Sequence, residues 1–329
     1  MELILNTFGT YLTKDNNTFM VIHKDGKQRI DPTKLKSISI SKGAQISSDA
    51  ALLAIEHQID VFFVDRGGNP QGRIWSNRFG SVSTIRRNQL DFTFSKEAVS
   101  WIKGILEEKI DNQVALLYSI ATKDPVVDRK VRAFINRLED YKTKIQGIDG
   151  EVVSDIAPTL RGWEGNASRN YFAAINLLIP EQFRFEGRSQ HPATDIFNAL
   201  LNYGYGILYG KVEGALIKAG IDPYIGVFHR DDYARPVLAF DFIEKFRVWV
   251  DFVVLSLIRQ EVITEDCVSR REDGAVWLEA LGKRILIQSI NDYMEEPILQ
   301  DGLSRSRATH IILAAQKLAK HFLEYNKNN

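Results

Sequence analysis

The sequence predicts an α+β chain in which a small N-terminal β domain with hairpins precedes a larger all-α domain. Two observations lead there. Over residues 1–80, short β-branched and aromatic runs alternate with turn formers, whereas from residue 95 apolar residues recur at the three-to-four spacing of a buried helix face. The 329 residues also suffice for two cores, at about 100–200 residues per domain. The expected division is 1–80 for the β-rich domain, 81–94 for an Arg-rich linker and 95–329 for the helical domain.

Taken in order, Leu3–Phe8, Phe19–His23, Gln28–Ile30, Lys36–Ile40, Val61–Val64 and Gly72–Trp75 read as strands. Lys14-Asp15-Asn16-Asn17, Asp25-Gly26-Lys27 and Gly67-Gly68-Asn69-Pro70 supply turns, so mostly antiparallel pairing is expected. One short helix, capped by Ser48 or Asp49, should cover Ala50–His57. In the second domain Val99, Ile102, Leu106, Ile110, Val114 and Leu117 form one stripe, with Ser95 as N-cap. Val127, Val131, Phe134, Leu138, Tyr141 and Ile145 form another, ended by Gly147.

A long helix over Asp195–Ala219 is capped by Asp195 and stopped by Gly220. Its Gly206, Gly210 and Gly214 share a face suited to close helix packing, while Lys211 and Glu213 argue against lipid burial. Pro236 should open a further helix that buries Ile243, Phe246, Val250, Val253 and Leu257. Ala275–Tyr293 and Leu303–Tyr325 then read as amphipathic helices, followed by the polar tail Asn326–Asn329.

Composition excludes several classes. With 44% hydrophobic and 26% charged residues the chain is neither disordered nor fibrous. Lys+Arg 42 balances Asp+Glu 42, so any nucleic-acid contact must use local clusters rather than net charge. Cys267 stands alone, which excludes a disulfide scaffold or Cys-based zinc site and suits a reducing cytoplasm. No apolar run approaches the ~20 residues of a membrane span, and the opening MELILNTFGT lacks the order of a signal peptide.

One such cluster stands out. Between Arg66 and Leu90 there are five arginines, Arg66, Arg73, Arg78, Arg86 and Arg87, and no acidic residue. The following helices add Arg129, Lys130, Arg132, Arg137, Lys142 and Lys144. Guanidinium forks match phosphate oxygens, although a solvated, salt-bridged surface has the same composition.

Three segments carry candidate chemistry. In Arg161-Gly-Trp-Glu-Gly-Asn-Ala-Ser-Arg-Asn-Tyr-Phe, Glu164 is expected near a helix start after Pro158, where it could simply complement the dipole. Gly162 and Gly165 cost helix stability beside it, as a close approach by a ligand or another backbone would require. The long glycine-marked helix is the second segment. In the third, His229 lies in the loop Gly226-Val-Phe-His, and Asp241 and Glu244 stand at i and i+3 of the next helix. One imidazole with two or three carboxylates suits Mn²⁺ or Mg²⁺, whereas zinc would want more His or Cys.

Three stretches resemble the CRISPR-associated protein one family, the metal-dependent DNA integrase-endonucleases of CRISPR spacer acquisition. They are RGWEGNASRNYF (161–172), NALLNYGYGILYGKVEGALIKAGIDPYIGVFH (198–229) and ARPVLAFDFIEKFR (234–247), in the family's order and rough separation. The resemblance implies a β-rich domain that pairs two subunits and a helical catalytic domain. It places Glu164, His229 and Glu244 at the metal ligands, with Asp241 at a second acidic position in the catalytic set. Glu244 stands where some relatives carry Asp. It also implies Arg169 and Arg247 as phosphate contacts, beside Arg86 and Arg87 which the arginine-rich cluster itself offers, and double-stranded DNA as substrate, a homodimer, and a small companion CRISPR adaptation protein. The alternatives are a transposon-type integrase, a nuclease for branched DNA repair intermediates, and a non-catalytic DNA scaffold.

Overall fold

Two four-stranded sheets build the N-terminal unit. The computed structural model describes residues 2–24, 26–35, 37–57, 59–65, 70–74, 82–120, 122, 124–190, 192–229 and 235–325. Strands β1 (Glu2–Leu5), β2 (Tyr11–Asp15), β3 (Thr18–His23), β4 (Gly26–Ile30), β5 (Ser37–Ser41) and β6 (Gln45–Ile46) precede helix α1 (Ser48–Glu56). Strands β7 (Asp60–Val64) and β8 (Pro70–Ile74) follow it. One sheet has the order β1-β5-β7-β8 and the other β4-β3-β2-β6. Leu12, Phe19, Ile38, Ile40, Leu53 and Val61 are buried in one core that draws on both sheets and α1.

The expectation of mostly antiparallel pairing is corrected. β1–β5, β5–β7 and β2–β6 pair in parallel, against β2–β3, β3–β4 and β7–β8 antiparallel. Turn residues report only on strands adjacent in sequence, whereas a parallel pair needs a crossover, and α1 supplies the one from β5 to β7. Lys14 and Asp15, expected in a turn, instead close β2, where only Leu12 is buried and the sequence offers little alternation to read. The N-cap of α1 is Ser47, whose hydroxyl accepts from the Ala50 amide at 3.1 Å, so Ser48 and Asp49 lie inside the first turn. The expected turn residues Asp25 and Gly67–Asn69, and the strand ends Lys36 and Trp75, lie outside the described residues, as do Arg66, Arg78 and the tail 326–329.

Segment 81–94 is not a linker. Residues 82–92 form helix α2 (Val82–Phe92), and the chain divides into two compact units at Ser83/Thr84. Ile85, Asn88, Gln89 and Phe92 fall on one buried face, while Arg86 and Arg87 are exposed. The Asn88 amide donates to the Phe322 carbonyl at 2.7 Å, and that of Gln89 to the carbonyls of Asp222 and Ile225 at 2.7 and 3.0 Å. These bonds tie α2 into the second unit, while its arginines lie on the opposite, exposed side.

In that unit α3 (Lys96–Ser119), α4 (Pro125–Gly147), α5 (Val153–Leu178), α6 (Ile196–Lys218), α7 (Val237–Phe242) and α8 (Arg247–Arg259) come first. A hairpin of β9 (Val268–Arg270) and β10 (Val276–Leu278), helix α9 (Ala280–Glu295), a hairpin of β11 (Pro297–Gln300) and β12 (Leu303–Ser306), and α10 (Arg307–Glu324) complete it. Ser95 and Asp195 cap α3 and α6 as expected, at 3.2 and 2.7 Å from the amides of Ala98 and Asn198. Gly220, at φ +83°, turns the chain out of α6 in the left-handed region that glycine enters most readily.

Four expectations are corrected. The domain is not wholly helical: Ala275–Tyr293 and Leu303–Tyr325 each begin with a strand, and Asp301 and Gly302, both at positive φ, form the two-residue turn of an Asp-Gly hairpin. α5 starts well before Glu164 and carries Pro158 inside it, so Glu164 has no first-turn dipole role. The helix after Pro236 is broken by a 3₁₀ turn, Ile243–Lys245, although Ile243, Phe246, Val250, Val253 and Leu257 are all buried. Close helix packing falls on Gly204, where a Cβ would lie 2.6 Å from Val250 Cγ1, while a Cβ at Gly206 or Gly214 would meet nothing within 4 Å.

Candidate functional site

Helix α5, helix α3 and the 3₁₀ turn after α7 meet around one buried ammonium. Lys109 of α3 is 7% exposed, and its Nζ pairs with Glu164 Oε1 and, at 2.6 Å, with Glu244 Oε2. Ser168, one turn beyond Glu164, donates to the same Oε1 at 3.0 Å. Glu244 Oε1 accepts from Arg247 Nε at 2.7 Å. The opposite edge, Oε2, is buried and faces the Lys109 ammonium. Asn112 of α3 donates to the Lys245 carbonyl at 3.1 Å and so ties the 3₁₀ turn to α3.

These contacts keep the acids ionised. Burial opposes the charge on Glu244, but Arg247 and Lys109 outweigh it and hold its pKa down to about 2. Lys109 lowers Glu164, against burial and the repulsion of Glu244. Burial pulls Lys109 down, and the two glutamates more than reverse that.

His229 is held by a different acid. Asp241 is fully buried in α7 and accepts from the amides of Val227, Phe228 and His229 at 2.8, 2.9 and 3.2 Å. Its Oδ1 also lies 2.6 Å from His229 Nδ1. A proton on Nδ1 fixes the tautomer, leaving Nε2 as the acceptor or ligand nitrogen. Burial disfavours the charged ring, yet the bond to Asp241 and the neighbouring carboxylates raise its pKa overall. The loop is anchored by buried Val227 and Phe228, and Arg161 of α5 donates to the Phe228 carbonyl at 2.9 Å. Gly226 closes it, since a Cβ there would strike the His229 carbonyl. Arg230–Ala234 lie outside the described residues.

Behind Glu244 lies a second polar cluster. Arg247 stacks 4.6 Å over the Tyr205 ring, and the hydroxyls of Tyr205 and Tyr171 donate to Asp251 at 2.5 and 2.8 Å. Burial pushes Asp251 up to about 6 despite both hydroxyls and two nearby arginines.

The acids named from sequence therefore divide between two tasks. Glu164 and Glu244 converge on Lys109, while Asp241 orients His229. As they stand, no three His, Cys, Asp or Glu side chains among the described residues are grouped to hold a metal ion. Arg247 is engaged with Glu244 and Tyr205, whereas Arg169 is exposed and donates to Asn166 at 2.6 Å. On α4, Arg132 pairs with Asp128 and Lys142 with Asp111, so the basic face is partly neutralised. A Cβ at Gly162 or Gly165 would meet nothing within 4 Å, so no backbone packs there; the surface beside Glu164 is open.

Sequence reasoning missed two residues. Lys109 sits between Leu106 and Ile110 on the buried face of α3, where a charge without a partner is costly, and that position was its signal. Tyr209 presents a buried hydroxyl with no hydrogen-bond partner among the described residues, in the field of Arg247, Glu244 and Asp241. Its signal was only its place in the NYGYGILYG run.

Residues 3–292 match the family described as "CRISPR associated protein Cas1". A CRISPR-associated endonuclease Cas1 of Archaeoglobus fulgidus is 33% identical over 330 residues, covering 96% of this chain and 94% of the relative. Among solved structures, a chain of a partial Cas6-RT-Cas1–Cas2 complex superposes with a TM-score of 0.74 at 24% identity, over 99% of this chain and 96% of the other. A casposase bound to an integration product gives 0.71 at 20% identity, over 98% and 96%. At these identities the two structures support the fold.

Proposed function

Because this chain belongs to the Cas1 family, we propose that it is a CRISPR adaptation integrase-endonuclease that inserts new spacers into a repeat array by metal-dependent DNA strand transfer. The observation that carries the reading is the convergence of Glu164 and Glu244 on one buried cation, with the Asp241-oriented His229 on the loop tied to α5.

The donors fit a divalent metal. Two carboxylates and an imidazole suit Mn²⁺ or Mg²⁺, and Glu244 Oε2, buried and facing the Lys109 ammonium, is an oxygen that another cation could take. Glu164 and Glu244 would hold it through carboxylate oxygens and His229 through Nε2, with Asp241 fixing the ring as supporting carboxylates do. When bound, the metal polarises the scissile phosphodiester and stabilises the charge developing on its oxygens. Arg247 braces Glu244 from the far side and keeps its carboxylate from rotating away. The nucleophile is the 3′-hydroxyl of an incoming DNA end: a new P–O bond forms, the repeat strand's bond breaks, and a 3′-hydroxyl leaves. Water in place of that hydroxyl gives hydrolysis.

Two attacks on opposite strands require two sites at a fixed separation, hence a homodimer paired through the β-rich unit and a small companion protein. The similar chain of the partial Cas6-RT-Cas1–Cas2 complex was solved together with Cas2, which supports a companion protein for this chain. Exposed Arg86, Arg87 and Arg169 are the candidate phosphate contacts. Among the described residues no helix is long and apolar enough to cross a membrane, and buried, unpaired Cys267 suits a cytoplasmic location.

The test is strand transfer by purified protein with its companion, using a labelled DNA end and a plasmid carrying the repeat. Joining at the repeat borders, dependent on Mn²⁺ or Mg²⁺, is expected. Joining without companion or repeat would point to a transposon-type integrase, and hydrolysis alone to a repair nuclease. No metal-dependent chemistry would leave a scaffold.

A further inference from the structure

Lys109 is the one charge on the buried stripe of α3, set between Leu106 and Ile110. It is not a remote partner of the acids. Its ammonium occupies the point on which Glu164 Oε1 and Glu244 Oε2 converge, the same oxygens that a divalent ion would take. Lys109 is the cation on Glu244 Oε2, at 2.6 Å, whereas Oε1 is fixed by Arg247 at 2.7 Å. Arg247 already bonds the far edge of Glu244, so a divalent ion arriving beside Lys109 would face repulsion from two cations in a poorly screening site.

We propose that Lys109 is a resident counter-ion that holds the metal position in the metal-free protein and is displaced from Glu164 and Glu244 when the divalent ion loads. The inference rests on the metal-site reading above. Without an ammonium between them, the two glutamates would repel and splay, so Lys109 keeps the ligands gathered while it also competes with the metal. Its four-carbon stem lets the displaced ammonium move, and the nearest new anion the reaction brings is a DNA phosphate. Metal and DNA should therefore load cooperatively. A purely structural lysine would predict the reverse: removing it would disorder the acids and weaken metal binding.

Calorimetric titration of the full chain with Mn²⁺, at fixed ionic strength and without DNA, separates the two. Lys109→Met should bind Mn²⁺ about tenfold more tightly than wild type, since it removes one adjacent positive charge. Lys109→Arg, which keeps that charge, should stay within about twofold. A short DNA duplex should tighten Mn²⁺ binding by wild type and do so less for Lys109→Met. Equal or weaker Mn²⁺ binding by a folded Lys109→Met overturns the proposal. Should that variant lack a cooperative melt, ¹⁵N spectra of wild type decide. The protected Lys109 ammonium signal should disappear on Mg²⁺ saturation, and its persistence overturns the proposal. Wild type that binds no Mn²⁺ with or without DNA would instead refute the metal site itself.

Discussion

Glu244 and Asp251 are seven positions apart in sequence, the first 11% exposed at its side chain and the second buried, and they are held in opposite ways. Glu244 faces two cations and is kept at about 2, while Asp251 receives two tyrosine hydroxyls and rises to about 6. The difference lies in what each partner can do for a buried charge. A guanidinium or ammonium cancels it, and in Glu244's case one of the two can be exchanged for another cation. A hydroxyl only solvates it, and two nearby arginines do not outweigh burial, so Asp251 sits at the border of protonation, braced between α5, α6 and α8. Depth of burial thus does not mark the reactive acid; the nature of its partners does.

The comparison can be broken first at the imidazole. His229→Ala should reduce strand transfer by roughly 100-fold or more, beyond the ~10–100-fold typical of losing a supporting group. Its melting temperature should change little, because the ring is 41% exposed and the loop is held by Val227 and Phe228. Wild-type activity in this variant, measured beside the melt, would remove His229 from the site.

A smaller loss is expected one step back. Asp241→Asn keeps an acceptor for the loop amides but no longer fixes the His229 tautomer, so Mn²⁺ affinity should fall about 10–100-fold while DNA binding persists. Calorimetry and a gel-shift titration on one preparation would show the split.

Asp251→Asn sharpens the comparison through pH. A carboxyl raised from 3.8 to about 6 binds more protons folded than unfolded, so its charge lowers stability as pH rises through that window. The amide cannot ionise, and the stability of Asp251→Asn relative to wild type should rise between pH 4 and pH 8 by up to about 3 kcal/mol. Denaturant melts at the two pH values would check this. Glu244 and Glu164, both lowered, contribute the opposite slope, with stability lost as pH falls through their folded values.

The smallest effect belongs to the exposed arginines. Neutralising Arg86 and Arg87 together should flatten the salt dependence of DNA binding by up to ~2 units in slope if both meet phosphate. Binding isotherms across a salt series would show an unchanged slope if α2 faces solvent in the complex.

Much of the fold was legible because its signals are local. The caps Ser95 and Asp195, the stop at Gly220 and the stripes on α3 and α4 depend on residues within a few turns of one another. So did Asp301-Gly302, a hairpin signal masked by the amphipathic run after it. Illegible were features set by distant residues: the parallel pairing of β1 with β5, the docking of α2 through Asn88 and Gln89, and the break at Ile243–Lys245.

At the site the same division holds. The sequence by itself determined the residue types: three acids and one histidine in separated segments, near glycines that leave Glu164 uncrowded. Spacing could not tell Asp241 from Glu244, since i and i+3 suggest a shared face. Only the tertiary structure decided between them, because the 227–229 loop brings three amides and an imidazole to Asp241, while α3 delivers an ammonium to Glu244 from more than a hundred residues away. An acid's role is fixed by the charge and donors that reach it through space, and chain spacing does not encode that field.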